Sequence, residues 1–377
     1  MSDKITNLEE AIEKINNKDF GIYFFTIDTK GNPTAGVANI YEHVKVLREL
    51  GYNAQILHDK NDYKLKGDDE GIGLEDWLGE EYASLPHISI ESQQLQVGLA
   101  DVVVIPEAFA SIMKQTTNFP CKRIVFLQSY EYIFEMLEIG ENWGAFGIND
   151  VITTNQNLKD YVNSVFRNMV TEIIPVGIPE YFTPNEKPTV PTVAISARDK
   201  REVFKLVKLF FQKYPHYQFV TFRDMSGLAR KDFAKALQES FLGVWIDELA
   251  SFGTFPIECM KTNTPVIGKI PRLVPEWMGN VDDKGNLQLN DNGVWTANLN
   301  ALPDLIATMV GLYMEDSIPT NITEGTTEYT TQYTEEKTKN TIKEVYGKIF
   351  DRRIVEINNL ITKESATLET STVENNN

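Results

Sequence analysis

The sequence predicts an α/β protein of two similar domains, each a parallel sheet wrapped by helices, facing each other across a cleft. Three observations carry this. The chain has 377 residues, enough for two domains at roughly 150 residues each. Apolar runs of strand length alternate with segments whose apolar residues recur every three or four positions. A proline-rich connection, residues 175–191 (PVGIPEYFTPNEKPTVP), interrupts that alternation, which then begins again.

In chain order, the opening segment places Leu8, Ala11, Ile12 and Ile15 on one helical face. Residues 20–27 (FGIYFFTI) are continuously apolar, as a strand buried on both faces requires. A loop follows, then a helix with Val37, Ile40, Tyr41, Val44, Leu47 and Leu50 inward; Gly51 ends it and residues 53–57 form the next strand. The acidic stretch 59–81 reads as an excursion over the surface. Strands are expected at 101–107 (DVVVIPE), 123–129 (RIVFLQS), 150–155 (DVITTN) and 172–179 (EIIPVGIP), with a helix at 157–166. Past the prolines come strand 192–196 (TVAIS), a helix burying Val203, Leu206, Val207, Phe210, Phe211 and Tyr214, and strands YQFVTF, LGVWI and TPVIG. The expected domains are residues 1–180 and 181–333. Residues 334–361 form a helix packing back on the body (Ile342, Val345, Tyr346, Ile349, Ile354, Ile357), and 362–377 a disordered tail with little to bury.

The net charge is −18, from 36 Lys and Arg against 54 Asp and Glu. Nothing in that balance neutralises a polyphosphate backbone, which disfavours nucleic acid or an anionic membrane as the main partner. A basic pocket for one diphosphate would be invisible in the sum. Cys121 and Cys259 form no C-x-x-C pair, so neither a disulfide framework nor a thiolate zinc site is indicated. The first residues lack the apolar core of a signal peptide, and no apolar run reaches the roughly 18 residues that span a bilayer. A cytoplasmic protein is expected.

Several motifs are absent: G-x-x-x-x-G-K-[ST], G-x-S-x-G, H-E-x-x-H and the metal-holding D-x-D. His43, His58, His87 and His216 are scattered without ligand spacing. The positive signal lies at residues 242–278. Strand LGVWI ends in a loop carrying Asp247 and Glu248; a Ser-Phe-Gly-Thr turn follows, and a helix opens at Phe255 or Pro256. A helix N-terminus approached through Ser251 and Gly253 offers free N–H groups and the positive dipole end to a phosphate. Glu258, expected in the first helical turn, can accept hydrogen bonds from a ribose or simply favour the dipole.

The run A-S-F-G-T-F-P-I-E-C-M-K-T-N-T-P-V-I, residues 250–267, resembles the donor signature of retaining glycosyltransferases with the GT-B fold, E-G-F-G-L-x-x-x-E-A-M-x-x-G-x-P-V-I. That group includes sucrose, glycogen and mannosyl synthases. Residues 174–184 (IPVGIPEYFTP) are similar to its I-P-N-G-I-D-x-x-x-F-x-P hinge, and 193–201 (VAISARDKR) to its diphosphate clamp. The resemblance implies two Rossmann-like domains and transfer of a hexose from a nucleotide diphosphate sugar, a substrate, to a glycan or other acceptor. Configuration is retained and no metal or other cofactor takes part. By the same resemblance Ser251, Phe252, Gly253 and Thr254 hold the distal phosphate and Glu258 the ribose. Arg198, with Lys200 or Arg201, clamps the diphosphate, and a glycine loop containing Gly31, Thr34, Ala35 and Gly36 lies against sugar and acceptor.

The chain departs from the pattern at Ala250, where the group has a sugar-binding glutamate. Asp247 or Glu248 then substitutes, or backbone groups hold the sugar, or catalysis is lost. Glu107 falls where the group often has a histidine near the reacting sugar, and reads equally as a helix N-terminal carboxylate. The plainer readings are a solvated charge cluster at 198–201 and a mere turn at 31–36. Two rival functions stand beside transfer: a nucleotide-sugar epimerase on the same fold, and a two-lobed binding protein without chemistry. The acidic charge favours a soluble or non-anionic acceptor.

Overall fold

The computed structural model describes residues 3–27, 34–68, 71–184, 188–282 and 284–374, with side chains to residue 368. The N-terminal lobe is built on β1 (Gly21–Thr26), β2 (Asn53–His58), β3 (His87–Ser89), β4 (Val102–Pro106), β5 (Lys122–Leu127), β6 (Asp150–Thr153) and β7 (Val170–Ile173). They form one parallel sheet in the order β3-β2-β1-β4-β5-β6-β7. The C-terminal lobe has β8 (Thr192–Ala197), β9 (Thr221–Asp224), β10 (Leu242–Ile246), β11 (Val266–Lys269), a hairpin of β12 (Gly279–Val281) and β13 (Leu287–Leu289), and β14 (Val294–Thr296). Its parallel sheet runs β14-β11-β10-β8-β9. In each sheet the winding reverses beside the first strand, at β1/β4 and at β8/β10. A crevice opens there at the carboxyl ends of the strands.

Burial explains the continuous apolar strands. Every residue of β4, β5 and β10 is buried. One N-lobe core lies between the sheet and helices Asp3–Asn16 and Ala35–Glu49; the other includes Met113, Trp143 and Phe146. Two C-lobe cores sandwich the second sheet, one holding Phe255, Ile257 and Trp277, the other Phe210 of helix Lys200–Lys213. Among the described residues no helix is long and apolar enough to cross a membrane.

The last helix, Glu335–Glu374, leaves the C-lobe and crosses to the N-lobe, where Ile342, Val345, Tyr346, Ile349, Phe350 and Ile357 complete the first core. Charge holds it there as well. Arg352 reaches Asp150 and Glu172, and Arg353 donates to the carbonyls of Leu99 and Pro120.

The structure corrects three expectations. The tail expected to be disordered from residue 362 continues this helix to Glu374, because adding residues to an existing helix is cheap once the nucleus has formed. The 59–81 excursion contains the helical turn Leu74–Trp77, and a second turn, Glu80–Ala83, begins at its end; Leu74 and Trp77 enter the N-lobe core. Single turns are too short to show a period. The strand expected at 172–179 ends at Ile173: Ile174 N still donates to Thr153 O, and Pro175 then has no N–H to extend the ladder.

Candidate functional site

β10 delivers residues 247–253 to the mouth of the crevice. Asp247 follows β10 and Arg198 follows β8, and because Ala197 pairs with Ile246 the two side chains emerge as neighbours. Arg198 forms a bidentate pair with Asp247, Nε–Oδ1 and Nη2–Oδ2 both 3.0 Å, while its side chain stays 44 % exposed. Glu248 contacts Lys269 at the end of β11 and Arg272, whose Nη2 lies 3.3 Å away. Lys269 holds the Glu248 carboxyl below the usual carboxylate range.

Beyond the acids the chain turns inward. Ala250 and Phe252 are buried in the C-lobe core, so Ala250 offers nothing to a sugar. Phe252 O accepts from Trp277 Nε1 at 2.6 Å, and its ring meets Tyr333 edge-on at 5.2 Å. Gly253 has φ +73°, and a Cβ there would stand 2.6 Å from the Trp245 ring. Both facts demand glycine. The helix Thr254–Lys261 begins with no side-chain cap, which leaves its first amides and the positive dipole end available. Thr254 is its first residue.

Ser251 is buried and joins the lobes. Its Oγ accepts from Tyr130 N of the N-lobe at 3.0 Å, and its carbonyl accepts from Asn155 Nδ2 at 2.8 Å. Asn155 also caps helix Gln156–Val165, accepting from Leu158 N. Glu276 accepts from Gln156 N at 3.3 Å, and Arg272 lies 3.9 Å from Glu131.

Glu258 is the fifth residue of the helix, just past the first turn in which it was expected, and is 1 % exposed. Arg230, first residue of helix Arg230–Gln238, places Nη2 2.5 Å from Glu258 Oε1. Apart from this ion pair, Oε1 is buried with no hydrogen-bond partner among the described residues. The Arg230 guanidinium stands 4.8 Å from the Phe182 ring centroid and 5.8 Å from that of Phe233.

Of the other expected clamps, Lys200 is exposed at the start of its helix, and Arg201, 84 % exposed, pairs with the helix cap Asp199. On the N-lobe, Gly31 lies outside the described residues. Thr34 caps helix Ala35–Glu49, accepting from Val37 N at 3.4 Å, so Ala35 and Gly36 occupy its first turn. Gly36 O accepts from Gln128 Nε2, and Asn39 holds the other end of that amide, both at 3.0 Å. Glu107 is 4 % exposed after β4, and its Oε1 accepts from Gln128 N at 3.1 Å and Ser129 N at 2.6 Å. Burial pushes its carboxyl up to about 7 against these hydrogen bonds. Among the described residues no three His, Cys, Asp or Glu side chains converge to hold a metal ion.

The structure thus brings Arg198, Asp247, Glu248, Ser251, Gly253 and Thr254 to one mouth. Lys200 and Arg201 stay in solvent, and Glu107 is tied into the N-lobe strand ends. Sequence reasoning missed Arg230, Lys269, Arg272 and Asn155. Lys269 carried a signal, since it ends a parallel strand at the crevice; Arg230 carried none.

Two doubly wound lobes with their carboxyl strand ends opposed match solved structures over nearly the whole chain. Sucrose-phosphate synthase from Thermosynechococcus elongatus aligns with TM-score 0.58 at 13 % identity, covering 88 % of this chain and all of that one. The pneumococcal O-GlcNAc transferase GtfA, solved with UDP and GlcNAc, aligns with TM-score 0.58 at 10 % identity over 89 % of this chain and 99 % of its own. The chain has the GT-B fold. In sequence, this GT-B chain is 24 % identical over 344 residues to an alpha-1,6-glucosyltransferase of Actinobacillus pleuropneumoniae serotype 7, covering 89 % of the chain and 97 % of the relative. The likeness read from residues 250–267 therefore extends over most of the GT-B chain. No protein-family model matches it.

Proposed function

We propose that the protein transfers a hexose from a nucleotide diphosphate sugar to a glycan or other soluble acceptor, with retention of configuration and without a metal ion. The observation that carries this is the uncapped helix N-terminus at Thr254, reached through a glycine that tolerates no side chain, beside the Arg198–Asp247 pair. Cleaving a sugar–phosphate bond builds negative charge on the leaving diphosphate. Oriented N–H groups and a fixed guanidinium stabilise that charge without a metal. The related glucosyltransferase and the structural neighbour solved with UDP and GlcNAc support the same reading.

In this reading the Thr254 and Gly253 amides and Arg198 receive the diphosphate, and Lys269 and Arg272 supply nearby positive charge that Glu248 restrains. Asp247 and Glu248 act as positioning residues: each is committed to a cation, and a same-face mechanism needs no free nucleophilic carboxylate. Glu258 takes the ribose. Ser251 works from behind, fixing the turn against the N-lobe. The N-lobe's helix start at Thr34, Ala35 and Gly36 faces the acceptor, and the reaction belongs in the cytoplasm, where nucleotide sugars are made available to soluble enzymes.

Isothermal calorimetry with UDP, GDP and ADP tests this. One of the three is expected to bind, and Arg198→Ala to weaken it about tenfold or more, the value of hydrogen bonds to a charged group. Absence of binding to all three contradicts the reading.

A further inference from the structure

We propose that Arg230 is a positioning residue of the nucleoside subsite, presenting the buried Glu258 carboxylate to the ribose hydroxyls. The inference rests on the reading of Glu258 as the ribose ligand and goes beyond it, because Arg230 belongs to a different helix and to no recognised motif.

A carboxylate buried this deeply needs a counter-charge and hydrogen-bond donors. The counter-charge is Arg230, 2.5 Å from Oε1. The donors are incomplete: apart from the Arg230 pair, Oε1 has no hydrogen-bond partner among the described residues, although Glu258 is only 1 % exposed. An oxygen charge-balanced yet short of a donor is suited to accept a hydroxyl that arrives with a ligand. The Arg230 guanidinium is held over the Phe182 ring at 4.8 Å and beside Phe233. That cation–π placement fixes the plane of the fork in a way a lysine ammonium would not reproduce. Phe182 belongs to the connection between the lobes and Arg230 to the helix after β9. The carboxylate's aim is therefore set by two elements outside the helix that carries it.

The test compares, by calorimetry, the nucleoside diphosphate among UDP, GDP and ADP that binds with its 2′,3′-dideoxy analogue. Wild type is expected to prefer the ribose form by about tenfold or more. Arg230→Met is expected to bring that ratio close to one while leaving competition by inorganic pyrophosphate unchanged, a pattern general loosening of the site would not give. A wild-type ratio retained in Arg230→Met overturns the proposal. Should Arg230→Met fail to fold, Arg230→Lys decides: it keeps the charge but not the planar fork, and an unchanged ratio there overturns the proposal equally. A ratio near one in wild type would remove Glu258 as ribose ligand, and the role of Arg230 with it. A normal wild-type ratio retained in the variants removes Arg230 alone.

Discussion

Glu107 shows what burial does to a single residue at the strand ends. Its carboxyl is pushed from 4.5 up to about 7 by burial, although Gln128 and Ser129 donate backbone N–H groups to it. A carboxyl with its folded pKa raised contributes stability that is complete below the unfolded value and is lost as pH rises through the folded one. The window here runs from 4.5 to about 7. Glu107→Gln keeps a neutral acceptor for both N–H groups, so its Tm should not share the wild-type loss over that window in thermal denaturation at stepped pH. Parallel curves would remove this role. The buried histidines act with the opposite sign: burial lowers His43 and His58 to about 3, so their neutral-form contribution is present above 6.5 and lost as pH falls. His58 Nε2 lies 2.8 Å from His87 Nδ1. These two were scattered in the sequence because parallel pairing of β2 with β3, not local spacing, makes them neighbours.

At the scale of elements, the turn at residues 251–254 was legible and its supports were not. The Ser-Phe-Gly-Thr run predicted a helix opening at Phe255 or Pro256, because glycine, chain reversal and helical spacing are local properties, and the helix starts slightly earlier, at Thr254. Gly253→Ala should therefore be costly: a positive φ and a Trp245 ring 2.6 Å from the new Cβ imply about 1–3 kcal/mol of strain. A fall of several degrees in Tm and loss of nucleotide binding are expected. Gly36→Ala is the control, since its Cβ would meet only the Gln128 amide, at 3.4 Å an ordinary van der Waals contact, and it should keep wild-type Tm. Equal Tm for both variants would show that the turn tolerates a side chain. The supports are long-range contacts: Tyr130 and Asn155 reach Ser251 across 121 and 96 residues. Short strands such as β3, β12, β13 and β14 escaped for another reason. Three residues cannot display a period of two.

For the whole molecule, two sheets separated by prolines were readable because strand–helix alternation simply restarts. The final helix was readable as a helix, but the lobe it serves was not, since its apolar face names no partner. The structure gives it to the N-lobe through Tyr346, Ile349 and Phe350, so this helix is part of the first domain's core. Ending the chain after Thr362 removes Lys4–Glu364, an exposed pair worth about 0–1 kcal/mol, and should move Tm by no more than about 2 °C. Ending it before Glu335 strips the N-lobe core and should yield insoluble protein. A soluble, folded product of the second truncation would contradict the assignment.

The central proposal is a diphosphate leaving group stabilised by Arg198 and a helix start, with donor and acceptor meeting between the lobes. Proton NMR of the sugar product, formed from a panel of UDP-, GDP- and ADP-linked hexoses in the presence of a chelator, tests it most directly. The predicted result is a transferred sugar whose anomeric proton shows the donor's own configuration. An inverted product, or no transfer from any donor until a divalent metal is restored, would contradict it.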